Sequence, residues 1–200
     1  MPLDLDDPTA IALAIFRALS ARRIEAALYG GLALAAYGEP RETRDADFAV
    51  VALTGAVAAE ALTDLGVRPV LALDRARFGG LLISRITLAE GGGRAGLNVV
   101  DLIEPRSTRF AAAALDRAVP GALRGVPIRV LSPEDFVLFK LLSTRDRDIE
   151  DAGTVLRATD LSLDRSFIDT EAVKLAAEIP DHDIIGRLAR LNAPGFSDRP

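Results

Sequence analysis

The sequence predicts an α/β protein of the mixed α+β kind, followed by an all-helical part. Strand and helix patterns alternate along the first two thirds of the chain, and only helical spacing occurs after residue 131. Half of the 200 residues (50%) are hydrophobic, which is enough for a sizeable core. We therefore predict a core domain over residues 1–130 and a C-terminal helical subdomain over residues 131–200.

The core alternates short apolar runs with stretches whose apolar positions repeat about every 3.6 residues. The repeating stretches predict helices over 9–22, 32–37, 56–65 and 107–118. The short runs predict strands over 24–29, 45–53, 69–73, 81–88, 97–103 and 128–131. Because glycines at 91–93 separate two of these strands, residues 81–103 predict a β-hairpin.

The C-terminal part begins with a helix start signal. Ser132 is a preferred cap residue, and Pro133 suits the first helical turn. Helical spacing then predicts helices over 136–142, 148–157, 170–179 and 183–191. This part is therefore predicted to contain helices alone.

Composition narrows the classes of function. The chain has no cysteine, so disulfides and thiolate metal sites are excluded and a metal needs oxygen or imidazole ligands. Because His182 is the only histidine, oxygen ligands are expected to dominate. A formal net charge of -5 argues against nonspecific nucleic-acid binding, although it is compatible with a local basic groove. The N-terminus is acidic and no apolar run approaches the ~18 residues of a membrane span, which predicts a cytoplasmic protein without a membrane partner.

Asp45 and Asp47 form the sharpest chemical feature of the sequence. Residues i and i+2 of a strand point to the same face, so the two carboxylates are predicted to lie side by side. A bound Mg²⁺ would offset both their repulsion and the cost of burying them. Acidic pairs of this spacing also occur in solvated segments, for example Asp181 and Asp183, so a structural role stays open.

Asp101 lies inside the apolar run 97–103, where an unpaired carboxylate is expensive. If this strand pairs beside that of Asp45 and Asp47, three carboxylates converge. Three carboxylates suffice to hold two Mg²⁺ ions and a triphosphate, and Mn²⁺ is the alternative ion. Glu104, at the end of the same strand, is the fallback ligand.

Two further features are compatible with phosphate binding. Gly30 and Gly31 lie where a strand passes into a helix, and glycine there allows close approach of a phosphate, although tight packing explains such a turn equally well. Lys140 is one of only two lysines and would reach a phosphate as a point charge. Its charged neighbours, including Asp148 and Asp151, are equally compatible with a solvated corner of salt bridges.

Together these motifs resemble the signature of the nucleotidyltransferase superfamily. Tyr29-Gly30-Gly31-Leu32 is followed by Arg41-x-Thr43-x-Asp45-x-Asp47. The pattern is most similar to the minimal bacterial branch that includes the AbiEii toxins and the MenT-type toxins of type IV toxin–antitoxin systems. Ser132 through Lys140 and then Arg147-Asp148-x-x-Asp151 resemble the second pair of motifs in that branch. The resemblance implies a nucleotidyltransferase-fold mixed sheet flanked by helices, with a C-terminal helical subdomain.

The resemblance also implies a reaction and its residues. The reaction is magnesium-dependent transfer of a nucleoside monophosphate from a nucleoside triphosphate to an acceptor hydroxyl. The implied metal ligands are Asp45, Asp47 and Asp101, and the implied catalytic residues are these three with Lys140, Asp148 and Asp151. Nucleotide binding is assigned to Gly30, Gly31, Arg41, Thr43, Arg44 and Lys140. Leu32 stands where many relatives have serine or threonine, so backbone amides would have to replace one hydroxyl contact.

The acceptor implied by this branch is the 3′ end of an RNA, tRNA in particular, and the implied partner is a cognate antitoxin protein. Local support is limited to arginines near the proposed site, namely Arg41, Arg44, Arg106, Arg109, Arg145 and Arg147. Two alternatives stay open. The first is a small-molecule nucleotidyltransferase of the aminoglycoside-modifying type, and the second is a non-catalytic nucleotide-binding or antitoxin-like module.

Overall fold

The computed structural model describes residues 3–37, 42–90, 97–158 and 162–193 of the 200-residue chain. Within these residues the helices are α1 Pro8–Ala21, α2 Gly30–Leu34, α3 Gly55–Leu62, α4 Thr108–Asp116, α5 Pro133–Leu142, α6 Asp146–Arg157, α7 Arg165–Glu178 and α8 Ile184–Leu191. The strands are β1 Ala27–Tyr29, β2 Ala46–Ala49, β3 Val67–Phe78, β4 Leu81–Glu90, β5 Leu97–Pro105, β6 Val119–Leu123 and β7 Val126–Val130. None of the described helices is long and apolar enough to cross a membrane.

The strands form a seven-stranded sheet in the order β3-β4-β5-β2-β1-β7-β6. β2 runs parallel to β5 and β1 runs parallel to β7, whereas the remaining neighbours are antiparallel. The sheet is therefore mixed, and helices flank it, which confirms the predicted fold class. Its central strands β5, β2 and β1 are those that contain or adjoin the predicted acidic and glycine motifs.

A hydrophobic cluster among the described residues joins the sheet to helices from both predicted parts of the chain. Tyr29 of β1 packs against Phe136 and Phe139 of α5, with ring centroids 5.3 Å apart in each pair. Phe110 of α4 packs against Phe139 at 5.7 Å. Aromatic side chains bury much apolar area, so these contacts fix α5 firmly against the end of β1. The boundary between residues 130 and 131 stays a prediction.

Side chains cap two helix starts, and the cap at Ser132 is the predicted one. The Asp7 carboxylate accepts hydrogen bonds from the backbone N–H groups of Thr9 and Ala10, both at 3.1 Å. The Ser132 hydroxyl accepts one from the N–H of Asp135, also at 3.1 Å. Such caps satisfy N–H groups that have no partner inside the helix.

Two strands at the edges of the sheet differ from the prediction. β3 continues to Phe78 instead of ending at Leu73, because bulges near Leu73 let it pass the charged residues that follow and still pair with β4. The sequence pattern does not predict β6, because this strand contains Pro120 and Gly121. At the edge of a sheet one side of the strand needs no ladder partner, so both residues are tolerated.

The inner strands depart less from the prediction. β4 and β5 pair antiparallel, which confirms the predicted hairpin, although its glycines at 91–93 lie outside the described residues. β2 ends at Ala49 because Ala52 adopts a left-handed backbone, with φ of 51°, and its N–H donates to the Glu104 carboxylate at 3.0 Å. Glu104 also pairs with Arg75. This predicted fallback ligand is therefore engaged away from the acidic pair.

Candidate active site

Two of the three predicted carboxylates lie opposite each other in the sheet, and the third comes just before β2. β2 and β5 pair in parallel with Asp47 directly opposite Asp101, and Asp45 comes one residue before β2 begins. Asp101 is buried, with 6% of its surface exposed, whereas Asp47 is half-buried and Asp45 is exposed. The predicted side-by-side pairing of the two strands is therefore confirmed.

Asp47 carries a charge that the protein does not fully compensate. Burial and the neighbouring carboxylate of Asp101 raise the pKa of Asp47 to about 7, although Lys140 and Arg145 act in the opposite direction. Gly30 lies beside this carboxylate with φ of +68°, and a Cβ at that position would overlap Asp47. The first glycine of the turn thus makes room for the carboxylate.

Asp101 differs from Asp47 because it already has a cation beside it. Arg85, which lies opposite on β4, donates from Nε and Nη2 to the two carboxylate oxygens of Asp101 at 2.8 and 2.6 Å. Bidentate pairs of this kind are among the stronger charged hydrogen bonds. Sequence reasoning missed Arg85, although a hairpin centred on residue 93 places it opposite Asp101.

The donor set suits a hard divalent cation in part. Asp45 and Asp47 offer carboxylate oxygens, the ligands that Mg²⁺ and Mn²⁺ prefer. Within the described ranges, however, no three His, Cys, Asp or Glu side chains are gathered closely enough to hold a metal. Because Asp101 is turned to Arg85, it has to change partner before it can join the other two carboxylates.

A polar cavity of about 320 Å³ opens beside Asp45 and Asp47. Gly30 and Thr43 border it. A Cβ on Gly31 would lie 2.8 Å from the Thr43 side chain, so the second glycine packs against the loop that carries Thr43. Gly31 therefore serves packing, and Gly30 borders the cavity beside Asp47, whereas phosphate binding at this turn stays a prediction.

Lys140 lies in the interior, so its interpretation as part of a solvated corner is wrong. Only 1% of Lys140 is exposed, and its Nζ donates to Asp148 at 2.6 Å and to Asp151 at 2.8 Å. The ammonium group also lies 5.1 Å from the ring centroid of Tyr29 and 5.3 Å from that of Phe136. Lys140 still borders the polar cavity, so its positive charge acts on that space from the wall.

Helix α8 holds the corner between α5 and α6 that carries these charges. The guanidinium of Arg187, which is buried, donates to the backbone carbonyls of Leu141 at 3.1 Å and Arg145 at 2.9 Å. Burial alone would raise the pKa of Asp148, but Lys140 and Arg145 help to outweigh burial and hold this pKa below its ordinary value. Asp148 is therefore a fixed anion at the edge of the cavity.

Only some of the predicted arginines reach the site. Those that border the polar cavity are Arg44, Arg145 and Arg147. Arg106 pairs with Asp181, which follows α7, and Arg109 pairs with Glu178, the last residue of α7. Their predicted role near the site is therefore wrong. Arg41 lies outside the described residues.

Solved structures define the class of protein to which this fold belongs. An antigenic nucleotidyltransferase-like protein from Paracoccidioides brasiliensis is 22% identical over 94% of each chain, with a TM-score of 0.52. The antibiotic-resistance factor ANT(2'')-Ia is 16% identical over 86% of this chain and 93% of its own, with a TM-score of 0.55. Its complex with adenylyl-2''-tobramycin gives 15% identity, 85% and 97% coverage and a TM-score of 0.52. The chain thus has the nucleotidyltransferase fold.

The family follows from the sequence itself. The sequence model of the family described as nucleotidyl transferase AbiEii toxin, type IV TA system, matches residues 12–190. The chain therefore belongs to the AbiEii family of nucleotidyltransferases, which confirms the predicted resemblance. A comparison with curated proteins found no match.

Proposed function

We propose that the enzyme moves a nucleoside monophosphate from a nucleoside triphosphate to an acceptor hydroxyl, in a magnesium-dependent reaction at Asp45, Asp47 and Asp101. The observation that carries this proposal is the pairing of Asp47 with Asp101, next to a cavity of about 320 Å³ that basic residues border. A triphosphate concentrates negative charge, so it requires both cationic side chains and a metal ion.

The chain's own residues would bind and orient the triphosphate in the polar cavity. Gly30 borders this cavity beside Asp47, and Thr43 and Arg44 border the same space. Arg147, exposed at the start of α6, adds a guanidinium that can bind two phosphate oxygens at once. These residues support the assignment of this cavity to the triphosphate.

Lys140 acts in this proposal as a fixed positive charge in the cavity wall. Its bonds to Asp148 and Asp151 hold the ammonium in place, so no reorganisation is needed when a phosphate enters. A divalent ion held by Asp45 and Asp47 would supply the charge that stabilises the developing negative charge on the phosphates.

The reaction is an in-line displacement at the α-phosphorus. The acceptor oxygen forms a bond to phosphorus, and the bond from phosphorus to the bridging oxygen breaks. Pyrophosphate leaves with the electrons of that bond, and the hydroxyl proton passes to water. Asp101 orients the acceptor hydroxyl once its carboxylate has left Arg85. Catalysis then depends mainly on positioning and charge stabilisation.

The proposed acceptor is the 3′ end of an RNA, tRNA in particular, and the proposed partner is an antitoxin protein. Both rest on the family, whose description places it in type IV toxin–antitoxin systems. Local support for RNA comes from the exposed guanidiniums of Arg145 and Arg147 at the cavity, which suit backbone phosphates. A small-molecule acceptor is the competing outcome.

Label transfer tests the reaction and its acceptor. The protein is incubated with Mg²⁺, each α-labelled nucleoside triphosphate and total cellular RNA, and the products are treated with ribonuclease or protease. We expect label that ribonuclease releases and protease does not, and Asp169→Asn, an exposed carboxylate of α7, should behave as wild type. Label confined to a small metabolite or to protein would overturn the RNA acceptor. Absence of pyrophosphate release would overturn the transferase reaction.

Unfolding in the presence of ligands tests the metal and the triphosphate separately from turnover. With Mg²⁺ and the preferred triphosphate at ~100 times the dissociation constant, the free energy of unfolding should rise by ~2.7 kcal/mol. Chelation of the metal should abolish the gain. Thermal unfolding that does not respond to Mg²⁺ with any of the four triphosphates would contradict the proposed site.

A further inference from the structure

A second cavity, of about 160 Å³, adjoins the polar cavity at Asp101. Its walls are mainly apolar and come from the β3-β4 hairpin, with Leu73 and Phe78 on β3 and Ile83 on β4. Arg145 and Asp101 border both cavities. The two spaces are therefore continuous around the carboxylate that the proposed reaction places next to the attacking hydroxyl.

The charged groups of the apolar cavity already have partners. Asp101 is bound by Arg85, and Asp148 is bound by Lys140 and Arg145. A polycationic ligand such as an aminoglycoside finds no carboxylate without a cation among the described residues of this wall, and its charges would face apolar side chains. An uncharged group can enter without disturbing these pairs.

The size and surface of this cavity suit a flat ring. An apolar cavity of ~150 Å³ holds a benzene ring, which is close to the volume found here. Phe78, which is 42% exposed, contributes aromatic surface on which a ring can stack, and the polar residues Tyr29 and Thr144 border the same space. An aromatic heterocycle with polar edges matches this combination.

We infer that the apolar cavity binds a nucleobase of the acceptor and so determines which acceptor the enzyme accepts, an inference that rests on the proposed transferase function. The triphosphate then occupies the polar cavity, and Asp101 lies where the two substrates meet.

Methyl NMR of the full chain, titrated with cytidine 5′-monophosphate, tests this assignment without turnover. A bound aromatic base shifts the resonances of the methyl groups on which it stacks. We expect saturable shifts at Leu73 and Ile83, which border the cavity, and none at Val70, an exposed residue of β3 outside it. Kanamycin should leave the same methyl groups unshifted. Unshifted methyls with the nucleotide, or larger shifts with kanamycin, would overturn the inference.

A matched pair of variants on β3 provides the second test. Leu73→Trp fills the cavity, so the affinity for cytidine 5′-monophosphate should fall about tenfold or more, whereas Val70→Trp should bind as wild type. Both variants should retain wild-type affinity for Mg²⁺ with a nucleoside triphosphate. If tryptophan at position 73 prevents folding, Leu73→Phe takes the place of Leu73→Trp. Equal nucleotide affinity in the two variants would overturn the site. If the wild type did not bind the triphosphate, the proposed function would be wrong instead. The methyl shifts at Leu73 and Ile83 would still test the nucleobase cavity by themselves.

Discussion

Asp47 and Asp101 lie opposite each other on neighbouring strands, but their carboxylates have different surroundings. Asp101 is the more buried of the two and has a bidentate partner in Arg85. Asp47 has no such pair among the described residues, and burial together with Asp101 raises its pKa to about 7. The fold therefore pairs the carboxylate of Asp101 with its own arginine and, among the described residues, provides no such pair for the carboxylate of Asp47.

Removing the uncompensated carboxylate should give the largest effect. Asp47→Asn is expected to lower turnover about a thousandfold, because metal ligation supplies several kcal/mol of transition-state stabilisation. The free energy of unfolding of the ligand-free protein should stay the same or rise, since repulsion with Asp101 is relieved. Turnover assays and urea unfolding measure the two quantities, with Asp169→Asn as the control. A severe loss of stability would show that Asp47 is structural.

The two lysines of the chain differ in the same way, because the ion pairs of Lys140 are buried and that of Lys174 involves an exposed lysine. Lys140→Met leaves Asp148 and Asp151 without the ammonium that both contact, which should cost ~3–5 kcal/mol of unfolding free energy. Lys174→Met removes the other lysine, whose side chain is 56% exposed and pairs with Glu171 one turn away, and should cost no more than ~0.5 kcal/mol. Similar urea midpoints for the two variants would contradict this account of the buried pairs.

The pH dependence of stability reports the charge of Asp47 directly. Its pKa is about 7 in the folded protein and ~3.9 in an unfolded chain, so the folded state binds this proton more tightly. The resulting stabilisation is complete below pH ~4 and is lost as the pH rises towards 7. The unfolding free energy of the metal-free wild type, relative to Asp47→Asn, should therefore decline across this window. If the unfolding free energies of wild type and Asp47→Asn changed in parallel with pH, the pKa of Asp47 would not be raised.

The smallest effect is expected from removing the cation of the compensated carboxylate. Arg85→Met frees Asp101 and removes a positive charge, so the affinity for Mn²⁺, measured by calorimetry, should rise about two- to fivefold. Because the Arg85 side chain is 42% exposed, the gain should be small and should shrink at high salt. Arg68 is an exposed arginine near the start of β3 and serves as the control. Arg68→Met should leave the affinity for Mn²⁺ unchanged. If Arg85→Met bound Mn²⁺ more weakly than wild type, the idea that Arg85 and the metal compete for Asp101 would be wrong.

Local patterns predicted most of the central sheet because their physical cause is local. A carboxylate in an apolar strand needs a partner, so Asp101 was assigned to the site from its neighbours alone, and the parallel pairing with β2 agrees. The glycine turn was likewise predicted from the adjoining strand and helix patterns, and the structure adds that Gly30 adopts positive φ beside Asp47. The functional assignment of these residues stays a prediction.

The features that were missed depend on which segments meet in space. Arg85 acquires its role only from the β4-β5 register, and Lys140 is interior only because α6 folds back over α5. Arg106 and Arg109 looked suitable by proximity in sequence to Asp101, but their side chains reach acidic residues at and beyond the end of α7. Side-chain direction of this kind is set by tertiary contacts, which no single stretch of sequence encodes.

The contacts of Arg187 have a consequence for synthesis of the protein. This residue of α8 holds the backbone of the corner that carries Lys140 and Asp148, although α8 is the last helix among the described residues. During translation the acidic strands leave the ribosome long before α8 does. A nascent chain should therefore present Asp45, Asp47 and Asp101 before the corner that carries Lys140 and Asp148 is held in place, and this corner should become fixed only when α8 has docked.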